Sequence, residues 1–543
     1  MSQFTYKNTL FFLFILCCIS ANTYAQKKPK KEKTRLIQPI AEGKITNSDS
    51  ITFYKIVPID ESNGVVVISN KNKVASYQIT QFDTSLKNII KTVDIPISAK
   101  YEYISAMGSE NKLYILFAKL VFVKAHWYSE RNFKKYIAVE VNLTSGEIKI
   151  VKAKFSRPFS YTSIDVVKNK MIVMGDVTLK NAGYSFRTIA TYSSCGIGNL
   201  LGTYKLPRWP YYAKVDFDAL KASRNKISYG RRPKTHMLSY CSDEDKNQIS
   251  LIIKKNSSRK GTKQYIHTID INNTKNKIKK IKFDVGRPDK SEAYTAKATT
   301  LNDGNKIVVG SYGNRQIKIT RILEPGIPTE GVYIVKTKGN DIEWTTSIPY
   351  DAIFNFKYNK GKLDPSQGRR IQEQYKFEEV IEQNNQYIFV GTSYTWVYPL
   401  INFSETPLSF IQTSKGFKIL NCIVFATDKN GKLLWTSGDG FKLPEYTSYF
   451  VPNEPMVVVN PFEDGVLVSL ITNNNLVEHF YNEDGEDNKN RHIEYTSDLC
   501  HWYDDYYLLT GENESTQIED DDRVKSRRYI YLHKIKSLRY EVK

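Results

Sequence analysis

The chain has 543 residues, 41% hydrophobic and 25% charged, with 78 Lys and Arg against 57 Asp and Glu and a formal charge of +21. So basic a chain raises nucleic acid as a partner, but the charge is mostly Lys spread among Asn, Ile and Tyr over the full length, which fits anionic neighbours in general and excludes base reading. No stretch reaches the roughly twenty apolar residues a membrane-spanning helix needs.

The N-terminus carries Lys7, the apolar run Leu10 to Ile19, and a polar segment ending Thr23-Tyr24-Ala25. This is the pattern of a secretory signal peptide over residues 1–25, cleaved after Ala25. Cys17 and Cys18 follow Phe14-Ile15-Leu16 instead of the small residue a lipid-anchor signal requires, so they read as part of the apolar core of the signal. Residues 26–35, Gln26 to Arg35, hold six basic side chains and one acid with no apolar member, the composition of a solvated tether that an anionic surface would attract.

From residue 36 to 543 the recurring feature is a short apolar run following a turn dipeptide. Asn63-Gly64 leads into Val65–Ser69, Asn111-Lys112 into Leu113–Ala118, and Asn169-Lys170 into Met171–Gly175. Further copies begin at Ile227, Ile307, Tyr387, Val466 and Tyr507, a mean step of about 63 residues. Runs of four to six β-branched and aromatic residues bounded by Asn, Gly or Asp predict strands buried on both faces.

Between copies lie hairpins: Tyr136–Asn142 turns at Thr144-Ser145-Gly146 into Glu147–Val151, and Ile423–Asp428 turns at Lys429-Asn430-Gly431 into Lys432–Trp435. Only Asp216–Ser223 and Arg370–Gln383 have a helical aspect. The pattern predicts an all-β fold, a seven- or eight-bladed β-propeller of four-stranded antiparallel blades in a single domain over 36–543. The last copy, Leu499–Ile535, is one strand short, and Arg35–Ile40 is expected to complete it.

Ala426-Thr427-Asp428-Lys429-Asn430-Gly431-Lys432-Leu433-Leu434-Trp435 resembles the A-x-D-x-x-T-G-K-x-x-W motif of quinoprotein-type propeller blades, with Lys338–Trp344 a looser copy. The resemblance implies a structural blade motif at Asp428, Gly431, Trp435 and Trp344, whose tryptophans pack between neighbouring blades. It is shared by pyrroloquinoline quinone dehydrogenases and by non-enzymatic propellers of outer-membrane assembly, so it leaves the chemistry open. The chain lacks the many regular tryptophan motifs of the dehydrogenases, and its mature part has no vicinal cysteine pair.

No local catalytic signature is present: no G-x-S-x-G elbow, no P-loop, no H-E-x-x-H, and seven histidines with no metal-type spacing. No cofactor and no metal is therefore expected. Cys195, Cys241, Cys422 and Cys500 allow three pairings, which the sequence leaves open. The acidic run Glu519–Asp522 lacks the alternating ligands of a calcium loop.

Aromatic clusters at strand ends and in insertions are the residue-level signal for binding. Trp209, Tyr211, Tyr212, Trp396 and Tyr398, set among prolines, together with Arg369 and Arg370 in a long insertion, are the expected contact residues. The expectation is a non-enzymatic cell-envelope propeller, periplasmic or outer-membrane-associated, that binds protein partners through loops on one face. The alternatives are a carbohydrate-binding or carbohydrate-active propeller and a quinone-dependent dehydrogenase.

Overall fold

The computed structural model describes residues 41–45, 51–71, 76–98, 100–120, 132–178, 208–227, 235–243, 245–257, 261–272, 279–285, 291–314, 329–354, 374–397, 416–437, 441–448, 457–471, 475–494, 498–504, 506–518 and 524–537. Residues Pro39–Lys543 form one unit. Its described residues are all-β apart from one helical turn at Tyr350–Phe354. Among the described residues no helix is long and apolar enough to cross a membrane.

The described strands form seven antiparallel sheets. Sheet 1 is Ile51–Pro58, Val65–Lys71, Tyr77–Phe82 and Ile89–Ile95 in spatial order. Sheet 2 has seven strands, Glu102–Ser109, Lys112–Leu120, Asn132–Asn142, Ile148–Val167, Lys170–Thr178, Arg208–Asp216 and Lys221–Lys226. Sheet 3 is Thr235–Asp243, Gln248–Ser257, Gly261–Asp270 and Lys279–Phe283. In sheet 4, Ser291–Ala293 and Lys297–Thr300 share Lys306–Asn314, followed by Gly331–Lys338 and Asp341–Pro349. Sheet 5 comprises Gln374–Gln383, Gln386–Val397, Gly416–Asp428 and Leu433–Thr436, with Phe441–Ser448 also on Gly416–Asp428. Sheet 6 is Val457–Phe462, Gly465–Ile471, Asn475–Asn482 and Asp487–Glu494. Sheet 7 is Asp498–His501, Tyr506–Ile518, Val524–Lys536 and, from the other end of the described chain, Ala41–Ile45.

The apolar runs are the second strands of these units. Val65–Ile68, Leu113–Phe117, Met171–Met174, Ile307–Val309 and Val466–Val468 are wholly buried because each is sandwiched between adjacent sheets. Sheet 1 packs on sheet 2 through Val66, Ile68, Ile115 and Val139; sheet 2 on sheet 3 through Ile172, Met174 and Leu251; sheet 3 on sheet 4 through Ile252, Ile266 and Val308. Sheets 4 and 5 meet at Ile334, Val309 and Phe389, and sheets 5 and 6 at Val424 and Val468. Ser469 of sheet 6 is hydrogen-bonded to the Tyr507 hydroxyl of sheet 7, and sheet 7 packs back on sheet 1 through Leu508, Leu532, Trp502 and Val65.

Every turn into a second strand contains a residue of positive φ: Gly64, Glu110, Asn169, Asn247, Gly304, Asn385, Gly465 and Asp504. A tight two-strand turn needs that left-handed step, which Gly and Asn supply at least cost. The same turn signal misplaces one copy. Asn225-Lys226 ends an outer strand, Ile227 follows it, and 228–230 lie outside the described residues; the buried second strand is instead Gln248–Ser257, entered through Asn247. Among the described residues neither expected helix forms: Asp216–Ser223 is a strand end, a turn and a new strand, and of Arg370–Gln383 the part from Gln374 is a strand while 370–373 lie outside the described residues. The strand completing sheet 7 is Ala41–Ile45, whereas Arg35–Ile40 lies outside the described residues.

Candidate functional site: the loop end of the sheets

Strand direction gives each sheet two chemically different ends. At the turn end lie the short connections between first and second and between third and fourth strands. Neighbouring sheets are stitched together there. Asn63 Nδ2 donates to Glu110 O at 3.1 Å, Lys246 Nζ to Gly304 O at 2.9 Å, the Asn302 amide to Glu382 Oε2 at 3.2 Å, and Gln383 Nε2 to Gly465 O at 3.2 Å.

The motif tryptophans act at this end. Trp344, on the fourth strand of sheet 4, donates its indole N–H to Lys429 O at 3.0 Å and lies over Gly431 in the turn of sheet 5. Asp428 shapes that turn by accepting from the amides of Asn430 and Lys432 at 2.9 and 2.8 Å. Trp435 repeats the arrangement one sheet later: its ring covers Gly485 and its N–H reaches Gln386 Oε1 at 3.0 Å, while Gln386 Nε2 donates to Glu483 O at 3.2 Å.

Sequence reasoning missed that lysine fills the same position earlier in the chain. Lys91 donates to Thr144 O beside Gly146, two residues before that glycine just as Lys429 O precedes Gly431. Lys149 reaches Asp218, two residues before the positive-φ Leu220, at 2.8 Å. A search for tryptophan cannot find these copies, since what recurs is a long donor aimed at a turn carbonyl or carboxylate.

At the opposite, loop end lie the connections between second and third strands and from each fourth strand to the next sheet. The long stretches outside the described residues, 121–131, 179–207, 315–328, 355–373 and 398–415, all join strands at this end. Two of the expected contact residues stand at it by register: Trp209, second in Arg208–Asp216, is paired with Val177, and Trp396, next to last in Gln386–Val397, is paired with Phe417. Tyr211 is half-buried, and Tyr212 is buried in the gap between sheets 2 and 3. Tyr398, Arg369 and Arg370 lie outside the described residues, as do the tether at 26–35, Cys195 and the acidic run at 519–522.

First strands are bulged near this end, at Tyr103/Ser105, Ser163/Tyr161, Met237/Ser239 and Phe377/Glu379. A bulge adds a residue to one strand and re-aims its side chains. In sheet 5 it turns Glu378 inward, where Lys376 Nζ pairs with it at 2.8 Å and the Thr392 hydroxyl donates to it at 3.3 Å. Sheet 4 interrupts its first strand at 294–296. There Lys254 Nζ donates to Ala293 O at 2.8 Å, lies 3.5 Å from Glu292 and sits 4.6 Å above the Tyr294 ring. Thr295 Oγ1 donates to Tyr375 O at 2.9 Å, and the Tyr333 hydroxyl donates to Thr295 O at 2.9 Å. Gly310 permits this interruption, since a Cβ there would sit 2.1 Å from Thr295 O.

These groups are mutually neutralised, an arrangement that fixes geometry. The buried thiols are shifted away from reactivity: burial pushes Cys241 up to about 11, and burial with the nearby Glu378 charge pushes Cys422 well above the ordinary range. Thiolate nucleophiles require the opposite shift. Cys241, Cys422 and Cys500 are free thiols. Burial holds His267 neutral, with its pKa lowered to about 3. Among the described residues no three His, Cys, Asp or Glu side chains converge on a metal-sized site.

No family model and no curated protein matches the chain. Solved structures resemble it distantly. A eukaryotic initiation factor is 8% identical over 90% of this chain and 88% of its own, with a TM-score of 0.34. A prolyl endopeptidase is 9% identical over 74% of this chain and 46% of its own, at 0.32, and an apocarotenoid oxygenase of Synechocystis is 12% identical over 54% and 61%, at 0.30. The chain thus spans under half the length of that endopeptidase and about six-tenths of that oxygenase. TM-scores of this size carry no argument about fold or chemistry.

Proposed function

We propose that the chain is an eight-bladed β-propeller of the bacterial cell envelope, exported to the periplasm or the outer membrane, which binds protein partners at the loop end without catalysing a reaction. Eight blades follow from dividing the seven-stranded sheet at Ile148–Val167, whose first half is the fourth strand of one blade and whose second half is the first strand of the next. Support for closure is the pairing of Ala41–Ile45 with Val524–Lys536 and the packing of sheet 7 on sheet 1.

The observation that carries the binding reading is the asymmetry of the two ends. The turn end is consumed by bonds between sheets, while Trp209 and Trp396 stand by register at the loop end, where the longest connections join the strands. Side chains on long connections held by a rigid scaffold are how such folds recognise partners. Crosslinking of the tagged full chain in its native envelope, with and without residues 357–374, is the test. A near-stoichiometric protein captured by the intact chain and lost from the deletion supports the reading. Unaltered capture, or a chain without any partner, counts against it.

Carbohydrate recognition is the second reading, favoured by the placement of Trp209 and Trp396 on strand ends of the same side. It expects glycan retention that Trp209→Ala or Trp396→Ala abolishes, and a blank broad glycan array removes it.

A further inference from the structure

Sheet 2 contains a row of like charges. In the strand register Lys119 stands directly opposite Lys135, and Lys135 directly opposite Lys154. All three are exposed, and none makes a hydrogen bond or ion pair among the described residues. Directly opposed side chains on one sheet face start about 5 Å apart, and like charges so placed repel. Lys152, two residues from Lys154 and on the same face, extends the group. Among the described residues no acid pairs with the row: Asp94 of sheet 1 accepts from Gln78 at 2.9 Å on the face away from Val93 and Ile95, which pack toward sheet 2, and Glu102, directly opposite Ala118, belongs to the other face of sheet 2.

The row cannot relax by spreading. Behind it, on the opposite face, Phe133, Tyr136, Phe155 and Phe159 are buried and stacked, with the Phe155 and Phe159 rings 4.0 Å apart, so the backbone under the lysines is pinned. Protection of a sheet edge does not account for it either, because Lys119 and Lys135 are on interior strands. A repulsive array held rigid is compensated when an anion is laid across it.

We propose that Lys119, Lys135, Lys152 and Lys154 form a docking surface for phosphate-bearing lipid headgroups of an anionic membrane. The row spans about 10 Å, two interstrand spacings, and so meets several charges at once. Its members are lysines, flexible point charges with no cradle of backbone amides, which suits a planar anionic surface better than a single enclosed phosphate. Nucleic acid fits less well, since single strands are held by exposed aromatic faces and the rings on these strands, Phe117, Phe133 and Tyr136, are buried.

The test is flotation of the full chain with vesicles of phosphatidylglycerol in phosphatidylcholine, and of phosphatidylcholine alone, at low and high salt. The row variant Lys119→Gln/Lys135→Gln/Lys154→Gln is compared with a control of equal charge change at the turn end, Lys87→Gln/Lys338→Gln/Lys432→Gln. Binding to the anionic vesicles alone, weakened about a hundredfold by the row variant and less than about twofold by the control, is the expected result. The row variant also keeps or raises the unfolding temperature, because it removes repulsion, so lost binding is not lost folding. Equal weakening by both variants, no weakening by either, or retention on soluble polyphosphate or DNA without vesicle binding overturns the proposal.

Discussion

The indole of Trp502 donates a hydrogen bond of 3.0 Å to the carbonyl of Gly64, 438 residues earlier in the chain. The ring is buried and its upper side is taken by Lys534, whose ammonium lies 5.3 Å from the Trp502 ring, 4.8 Å from Tyr503 and 3.9 Å from Tyr506. Trp502 thus joins sheet 7 to sheet 1 by packing and by a hydrogen bond, while the cation–π contact with Lys534 of its own sheet holds the ring in place. Trp502→Ala is expected to cost about 3–5 kcal/mol, and Trp502→Phe, which keeps most of the packing, about 1–2 kcal/mol. Urea unfolding of both variants checks the order; equal midpoints would show that the ring's polar contacts contribute nothing.

Glycine substitutions separate backbone strain from the tryptophan contacts. Gly339 has φ +61 with open space around its Cβ position, so Gly339→Ala should cost only about 1 kcal/mol. Gly431 and Gly485 have φ +83 and +79, and an added Cβ would meet Trp344 at 2.7 Å and Trp435 at 2.3 Å. Their alanine variants should lose about 2–4 kcal/mol, the backbone strain plus overpacking. The comparison is read from thermal midpoints, together with a shift of tryptophan emission in the last two variants alone.

Cys500, half-exposed, should react with a thiol reagent in the native protein, whereas Cys241 and Cys422, buried and held protonated, should wait for unfolding. Peptide mapping after timed alkylation distinguishes the sites.

His267 gives the protein an acid limit. Its native pKa is lowered to about 3 by burial, against an ordinary 6.5. Below about pH 6 the unfolded chain binds a proton that the native state refuses, so stability falls with falling pH at about 1.4 kcal/mol per unit and flattens near 3. His267→Gln should remove that slope from the acid limb of a pH–stability profile, and a parallel profile would refute the assignment.

Much of the strand pattern is legible because second strands are buried on both faces, which writes them as unbroken apolar runs between Asn or Gly turns. Val65, Leu113, Met171, Ile307 and Val466 all mark such strands. The failure at Ile227 has a physical cause: Asn225-Lys226 copies the turn signal, but the true turn ends at Asn247, and the run behind it, Gln248–Ser257, is broken up by Ser250, Lys254 and Lys255. Lys254 is buried there because Ala293 O and Glu292 receive it, a partnership no local pattern announces. Arg370–Gln383 misleads for the same reason, since the polar face of Gln374–Gln383 is matched by partners such as Lys297, 3.6 Å from Glu379, on another sheet. Lys91 and Lys149 stayed hidden because their role is set by the turn they reach. Diffuse charge along the sequence likewise concealed Lys119, Lys135 and Lys154, which only register brings side by side.

The strand Ile148–Val167 runs unbroken for 20 residues and belongs to both halves of the seven-stranded sheet. At Phe159 it is paired on one side with Phe133 and on the other with Val177. Elsewhere a repeat could be duplicated, deleted or used as a cut point for circular permutation, because a connection separates it from the next. Here the two repeats share their covalent and hydrogen-bonded spine, so in evolution or in engineering they can be gained, lost or moved only as a pair.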